Sequence, residues 1–451
     1  MTSAKPGRLL KILLFLHDRV WGRIFIGLLM TCLILVLKHA LVEPREWYER
    51  GRLQTYNTIQ NALSLSRSKE VPVHLIDIAK IPRDEGANVS PGGGAVSRKA
   101  LLKSLETLVA YHPKAIGIDV DFSADEHGNP VEMDDSDFFT KVLRLSTSNH
   151  IPIYLGVHRH AADEPEKWLG QKEFQILAAG LGLGNEKFQA GAMRLKGPVE
   201  EVVRMLCWTK VEEQSTPLPA LSYALATSTR EHEEGLPHWL EWAMEAEAEF
   251  APEKGLETKG FLVDYHSIDH LAESATSWSE AIGPSESFRD QVVILGVVRK
   301  SPASAPDEDL FPIPGHSDLY SGSLLYGCAV NTLIAAPLRE WTHTAEIGAD
   351  FFLTLTALCS IELLSWWLYR RKGKHNHHFR IHWAVTSTVC FVVLAVAIPF
   401  AGFHRLVWDD VLFVALGLMT HTALDQVFAG ILHRKSEHHS NNKEAHLAHE
   451  N

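Results

Sequence analysis

Four stretches of the chain are apolar over roughly 20 residues, the length that an α-helix needs to cross a bilayer. The last three follow one another with only short polar breaks, which favours membrane spans over buried helices of a soluble core. The pattern therefore predicts four transmembrane helices, at residues 24–42, 347–369, 381–403 and 411–432. Lys38 lies near the outer end of the first span, where we expect its long side chain to reach the membrane interface.

Basic residues flank these spans unevenly. Five precede the first span and five lie between the second and third, whereas the loop between the third and fourth contains only Arg405. The positive-inside tendency therefore predicts that residues 1–23 and the tail 433–451 are cytoplasmic. Residues 43–346 would then lie outside the cytoplasm. Because no small-residue cleavage site follows the first span, we expect it to remain as an anchor.

The long segment between the first two spans alternates between apolar strands and amphipathic helices. A strand at 71–78 is followed by a helix at 98–111, which Ser97 is expected to cap, and by a strand at 115–121. This order is typical of an α/β fold with a mainly parallel sheet. The pattern continues with a helix at 135–145, strands at 151–157, 261–265 and 291–296, and a closing helix at 324–334.

The charge of this segment excludes one large class of partners. The whole chain of 451 residues has a net charge of -12, but residues 43–346 alone contain 28 Lys and Arg against 46 Asp and Glu. Such an acidic segment repels the phosphate backbone, so no nucleic acid is expected as a partner. Membrane lipid is the partner that the apolar spans imply.

The cysteines divide between the two parts of the chain. Three lie in predicted spans, where they are expected to pack as small apolar side chains: Cys32, Cys359 and Cys390. Cys207 and Cys328 lie in the outer segment, whose compartment permits a disulfide. Two cysteines do not by themselves specify a bridge, so their pairing stays open.

Several acids follow strands of the predicted sheet, where open α/β sheets usually bind ligands. They are Asp77, Asp119, Asp121, Asp307 and Asp309. One interpretation is a pocket for a polar ligand or cation; the other, which we favour, is that these acids hold helix and loop ends. The loop from Asp119 lacks the glycine and the final glutamate of a calcium loop, so no metal is expected. We also find no activated nucleophile or cofactor motif, and we expect no enzyme activity and no cofactor.

Three polar residues interrupt the predicted spans. Glu362 lies in the second span, and His421 and Asp425 lie four residues apart in the fourth. Ionisable residues in a membrane are costly and suggest function. They could form a proton or ion route, or a polar clamp between helices; the small number of spans favours the clamp.

The order of these elements resembles the type-two CHASE sensory domain, an extracellular module of bacterial receptors. Five segments at residues 75–78, 115–123, 217–224, 288–296 and 322–331 agree in order with that family, and the resemblance extends from about residue 24 to 432. Family members usually have a His-Ala pair in the closing helix, where this chain has Cys328-Ala329. They also commonly carry a cytoplasmic output domain, whereas 19 residues follow Leu432 here.

The resemblance implies a membrane-anchored sensory or docking subunit of the bacterial inner membrane, with its large domain in the periplasm or outside the cell. We expect it to act through a separate membrane or cytoplasmic output protein, or as a homo-oligomer. The alternatives are an accessory structural subunit of a larger membrane complex and a small proton- or ion-conducting subunit.

Overall fold

The chain folds into two units. One, the helical unit, contains residues 1–63 and 339–451, and the other, the α/β unit, contains almost all of residues 64–338. The computed structural model describes residues 20–38, 51–56, 72–84, 95–122, 135–157, 189–192, 204–205, 208–209, 218–229, 261–281, 288–302, 310–335, 338–372, 378–404, 406–408 and 410–427.

Nine strands form the two larger sheets of the α/β unit. The main sheet contains β1 (Val73–Asp77), β2 (Ala115–Ile118), β3 (Ile153–Val157), β4 (Gln189–Ala192), β5 (Thr276–Ser277) and β6 (Val292–Gly296). A second, antiparallel sheet contains β7 (Lys300–Pro302), β8 (Leu310–Pro312) and β9 (Asp318–Ser321). Three antiparallel pairs of two-residue strands also occur: Arg83–Asp84 with Ala95–Val96, Arg204–Met205 with Phe261–Leu262, and Trp208–Thr209 with Leu218–Pro219.

The longer helices are distributed over both units. They are α1 (Val20–Leu37), α2 (Arg98–Val109), α3 (Asp135–Asn149), α4 (Leu221–Thr227), α5 (Ile268–Ser274), α6 (Gly322–Ala335), α7 (His343–Lys372), α8 (His378–Phe403) and α9 (residues 410–427). A short helical segment covers residues 51–56, and single turns cover Tyr265–Ser267 and Trp278–Ala281.

The main sheet is parallel throughout, in the order β5-β1-β6-β2-β3-β4. All five residues of the central strand β6 are buried. A strand that is covered on both faces consists of consecutive apolar residues. For this reason β1, β2 and β6 could be predicted from the sequence. The predicted α/β class with a mainly parallel sheet is confirmed.

Helices cover both faces of this sheet. On one face, α2 and α3 contribute buried residues at helical spacing, including Leu101, Leu105 and Leu108. On the other face lie α4 and α6. A Cβ at Gly117 of β2 would be 2.6 Å from a methyl group of Leu225, so α4 packs close against the sheet and a larger residue at 117 would displace that side chain.

Two local predictions are met only in part. The strand predicted at residues 261–265 covers Phe261–Leu262 alone, and it pairs with Arg204–Met205 outside the main sheet. Ser97 precedes α2 as expected, yet its side chain makes no capping hydrogen bond. An apolar run predicts that a strand is buried but not which neighbour it pairs with.

The helical unit contains α1, α7, α8 and α9. Its apolar core is formed by buried residues of all four helices, among them Ile24, Leu358, Val389 and Leu418. Among the described residues, two helical segments are long and apolar enough to cross a membrane: Thr344–Leu368 and Ile381–Gly402. They coincide with the second and third predicted spans. The described apolar part of α1, Trp21–Leu37, is shorter.

Candidate functional site

The first candidate site lies at the carboxyl edge, the edge of the main sheet where β1 and β6 end. Asp77, the last residue of β1, pairs in register with Gly296, the last residue of β6. One oxygen of the Asp77 carboxylate accepts hydrogen bonds from the backbone N–H of Ala79 at 3.0 Å and of Val298 at 3.1 Å. Asp77 therefore ties together the two loops that leave these strands.

Asp119 holds the start of α6 at the same edge. The hydroxyl of Ser323, in the first turn of α6, donates a hydrogen bond to the Asp119 carboxylate. A carboxylate at a helix N-terminus is favoured by the helix dipole. Gly296 lies between them: a Cβ there would be 2.1 Å from the Ser323 hydroxyl oxygen and 3.0 Å from the Asp119 Cβ. The close approach of α6 to the sheet thus requires glycine at position 296.

The structure brings together two of the five acids that the sequence singled out. Asp77 and Asp119 share the carboxyl edge around Gly296, whereas Asp121 is exposed beyond β2. Asp307 and Asp309 lie outside the described residues. The hydrogen bonds of Asp77 and Asp119 agree with the interpretation that these acids hold loop and helix ends, and a ligand pocket stays a prediction.

A second polar site was missed by the sequence reasoning. We call it the Lys300 cluster, and it joins α5 to the antiparallel sheet. Lys300 Nζ lies 2.8 Å from Asp269 Oδ1 and 3.2 Å from Asp318 Oδ2. The Tyr320 hydroxyl donates to Asp269 at 3.0 Å, and His316 Nδ1 lies 3.1 Å from that hydroxyl. Asp269 comes from α5, Lys300 from β7, and the other three residues from β9 and the turn before it, so no local spacing indicates the cluster.

The members of the Lys300 cluster shift one another's ionisation. The hydrogen bond from Lys300 lowers the pKa of Asp269, and the same contact raises the pKa of Lys300. Burial, together with the hydrogen bond to Asp269, raises the pKa of Tyr320 to about 12. Burial lowers the pKa of His316. At neutral pH the cluster is therefore an ion pair framed by a neutral tyrosine and a mostly neutral histidine.

Cys328, the residue found where the family usually has histidine, is buried in α6 as a free thiol. Burial raises the pKa of this thiol, and the nearby charge of Asp264 acts in the same direction. Such a thiol is a poor nucleophile and packs as a small apolar group. Cys207 lies outside the described residues, so the pairing of these two cysteines stays open.

The polar residues predicted inside the spans lie in the interior of the helical unit. Glu362 of α7 accepts two hydrogen bonds from Arg23 of α1, at 3.0 and 2.7 Å. Asp425 of α9 lies 3.5 Å from His382 of α8, whose other ring nitrogen is 3.0 Å from the Ser365 hydroxyl of α7. His421 is buried. The sequence reasoning assigned Arg23 to the cytoplasmic flank and overlooked His382, although both are polar residues at the ends of apolar runs.

A second group of polar contacts lies near the other end of these helices. Lys38 forms an ion pair with Asp410, at the start of α9, and both side chains are completely buried. The indole N–H of Trp408 donates to Asp350 of α7 at 3.1 Å. The expectation that Lys38 reaches the membrane interface was wrong, because its ammonium group faces the interior of the bundle and contacts Asp410 there.

The outer surface of the helical unit has the opposite character. Large apolar side chains are exposed on all four helices, with Phe352 70% and Phe391 71% exposed. The others include Trp21, Phe25, Leu29, Leu33, Val36, Leu363, Trp366, Val396, Leu416 and Val427. Among the described residues of this unit, several charged side chains are therefore buried while many large apolar side chains are exposed, a combination that is unusual in water-soluble proteins.

Comparison with known proteins gives one positive result. The model of the CHASE2 domain family matches residues 28–362, which include most of α1, the whole α/β unit and two thirds of α7. This family consists of extracellular sensory domains. No curated protein and no solved structure matches the chain. The match is narrower than the expected resemblance, since it does not reach α8 and α9, but it covers well over half of the sequence. The chain belongs to the CHASE2 domain family.

Proposed function

We propose that the protein is a membrane-anchored, extracytoplasmic sensory or docking subunit that acts through a separate partner chain. The observation that carries this proposal is the combination of a CHASE2 α/β unit with a helical unit that buries several charged side chains, among them Lys38, Glu362 and Asp410, and exposes large apolar ones. Membership of the family supports the sensory role, and the exposed apolar surface of the helical unit supports the membrane anchor.

The helical unit supports membrane insertion by all four helices. In water, the exposed apolar surface of Phe352 and Phe391 would be unfavourable, and so would the removal of the Lys38 and Glu362 charges from solvent. In lipid, the same arrangement is favourable, because acyl chains cover the apolar surface while the polar groups pair inside. Since α1 and α9 share this arrangement with α7 and α8, they are spans in this proposal as well.

The proposed orientation rests on charge. Basic residues precede α1 and follow α7, and both segments are cytoplasmic under the positive-inside tendency. The α/β unit then lies across the membrane, in the periplasm or outside the cell, and the membrane is the inner membrane of a bacterium. This location agrees with an extracellular sensory family.

A partner chain is the remaining part of the proposal. A sensory domain has an effect only when another protein or domain responds to its state. The partner is a membrane or cytoplasmic output protein, or a second copy of this chain, that contacts the helical unit within or beneath the bilayer.

Membrane extraction followed by co-purification tests this function. Membranes that contain the tagged chain are first washed with alkaline carbonate and then solubilised in mild detergent. We expect the chain to resist the wash and to elute with a second chain at a fixed ratio, whereas an unrelated four-span protein prepared in parallel does not bind that chain. Release by carbonate would contradict the anchor, and a clean monomer would contradict the partner.

A further inference from the structure

The connection between α8 and α9 contacts the two parts of the helical unit that flank the α/β unit in the chain, one before it and one after it. We call residues Leu406, Val407, Trp408 and Asp410 the junction residues. They lie within the helical unit, just before or at the first residue of α9. The chain passes into the α/β unit after α1 and the segment at 51–56, and it returns at residue 339 before α7.

Two contacts bind the junction residues to the outgoing connection. Lys38, directly after α1, forms the completely buried ion pair with Asp410. Arg52, in the helical segment at 51–56, donates a hydrogen bond to the carbonyl oxygen of Val407 at 3.2 Å. A buried ion pair with a hydrogen bond beside it fixes both the distance and the direction of approach.

Three contacts bind the junction residues to the returning connection. The backbone N–H of Val407 donates to the carbonyl oxygen of Arg339 at 2.9 Å. The Trp408 side chain donates to Asp350 at 3.1 Å and packs edge-on against Trp341, with ring centroids 5.7 Å apart. The two connections therefore meet at one short segment of chain.

Arg52 also links the two connections directly. Its guanidinium lies 3.5 Å from the carboxylate of Glu340, three residues before α7 begins, and it also donates to the carbonyl oxygen of Val407. Displacement of either connection thus changes the position of groups that hold the start of α9. Because a helix is a rigid element with a rise of about 1.5 Å per residue, a displacement at Asp410 is carried about 25 Å along α9 to Val427.

We propose that the junction residues are the coupling element through which the α/β unit acts on α9. Movement of Lys38 and Arg52, or of residues 339–350, shifts the start of α9, and α9 carries that shift to its opposite end. The inference rests on the proposed function for the direction of the signal. The contacts that carry it belong to the helical unit alone.

Spin-label distances in the full chain in lipid nanodiscs test the coupling. One label is placed at Leu364→Cys of α7 and one at Val427→Cys of α9, two exposed positions far along their helices from the junction residues. Cys32, Cys207 and Cys359 are replaced by serine, and the buried Cys328 and Cys390 are retained. The labels report movement of α9 relative to α7.

The perturbation is made in the α/β unit by Gly296→Ala, which forces Ser323 and Asp119 apart at the start of α6. The matched control is Gly327→Ala within α6, where the nearest atoms would be 3.4 Å from the new Cβ, an ordinary contact. Ser323→Ala, which removes the hydrogen bond to Asp119 without added volume, replaces Gly296→Ala if that variant does not fold. A second chain combines the same perturbation with Arg52→Gln and Trp408→Phe, which remove contacts between the junction residues and the two connections. This chain tests whether those contacts are needed to transmit the perturbation to α9.

We expect Gly296→Ala or Ser323→Ala to shift the mean label distance by about 1–2 Å, the size of helix shifts in switching proteins. Gly327→Ala should leave it unchanged, and the Arg52→Gln, Trp408→Phe background should abolish the shift. Ser365→Ala, a change remote from the junction residues, should not abolish it. No shift with native junction residues, or a shift that persists without them, would overturn the inference. The proposed function fails in a different measurement: cysteine labelling would then place the α/β unit on the cytoplasmic side of the membrane.

Discussion

Arg23 and Glu362 form a two-point ion pair between the first helix and the second helix of the helical unit. The guanidinium Nε and terminal nitrogen reach the two carboxylate oxygens at 3.0 and 2.7 Å, although the residues are 339 positions apart in the chain. Only 4% of the Glu362 side chain is exposed, against 23% of that of Arg23. This geometry is that of an interhelical clamp, in which a planar fork matches a carboxylate.

Glu362→Gln should destabilise the helical unit by about 3 kcal/mol, because it removes the buried carboxylate charge that binds the Arg23 guanidinium at two points. The unfolding free energy in detergent titration measures this loss. Arg23→Gln in the same chain should restore at least half of it. Proteoliposome flux distinguishes the conducting alternative: unchanged stability with lost proton flux in Glu362→Gln or Asp425→Asn would contradict a clamp.

Asp410→Asn should be the most damaging single change in the helical unit. It removes the negative charge that faces Lys38, whose side chain is completely buried, and removing one partner of a buried ion pair costs about 3–5 kcal/mol. Replacement of both residues by apolar ones, Lys38→Met with Asp410→Leu, should be much less harmful, because no charge remains to be buried. Thermal unfolding in detergent provides the comparison. An equal loss of stability in the single variant and in the double variant would contradict the view that an unneutralised buried charge causes the damage.

Gly296→Ala should destabilise the α/β unit by about 1–3 kcal/mol, the usual cost of overpacking. The new methyl group would overlap the Ser323 hydroxyl, and a shift of β6 or α6 that relieves the overlap would weaken the packing of α6 against the sheet. Gly327→Ala, whose methyl group finds ordinary contacts, should change the stability by less than about 1 kcal/mol. Hydrogen exchange of β6 amides measures both effects. A harmless Gly296→Ala would mean that α6 does not lie as close to the sheet as described.

The stability of the α/β unit should fall in two steps as the pH decreases. The pKa of His316 is lowered in the folded state, so the unfolded chain binds more protons there, and stability is lost as the pH drops below the usual histidine value of about 6.5. The pKa of Asp269 is also lowered, and its contribution is present above the unfolded aspartate value of about 3.9 and lost as the pH falls through the folded value.

Two variants separate these steps. One removes the His316 side chain that takes up the proton in the first step, and the other removes the Lys300 ammonium group that lowers the pKa of Asp269. His316→Gln should remove the first step and leave the second, and Lys300→Met should weaken the second by removing the largest cause of the Asp269 shift. Urea unfolding of the full chain, followed at a series of pH values between about 3 and 8, gives both. A profile unchanged by either substitution would contradict the assignment.

The parallel sheet could be predicted because burial on both faces leaves a direct trace in the sequence. Strands β1, β2 and β6 are apolar runs, and α2 shows its buried face in Leu101, Leu105 and Leu108. The pairing of Phe261–Leu262 with a distant short strand could not be predicted, because it depends on which strands remain unpaired once the main sheet has formed.

The polar sites were predictable only where local sequence carries the information. Asp77 and Asp119 were found because acids at strand ends share an edge of the sheet. The contacts of Arg23 with Glu362 and of Lys38 with Asp410 were missed, since a basic residue at the end of an apolar run has the same pattern whether it faces the interface or the bundle interior. Asp269, Lys300 and Asp318 come together only through folding.

The sidedness of the α/β unit is the most direct test of the central claim. In a chain whose Cys32, Cys207 and Cys359 are replaced by serine, Glu106→Cys marks the exposed surface of α2 and Arg370→Cys marks the end of α7. We expect a membrane-impermeant maleimide to label Glu106→Cys in cells with an intact inner membrane, and to label Arg370→Cys only after that membrane is opened. The reverse pattern, with Arg370→Cys labelled first and Glu106→Cys protected, would contradict it.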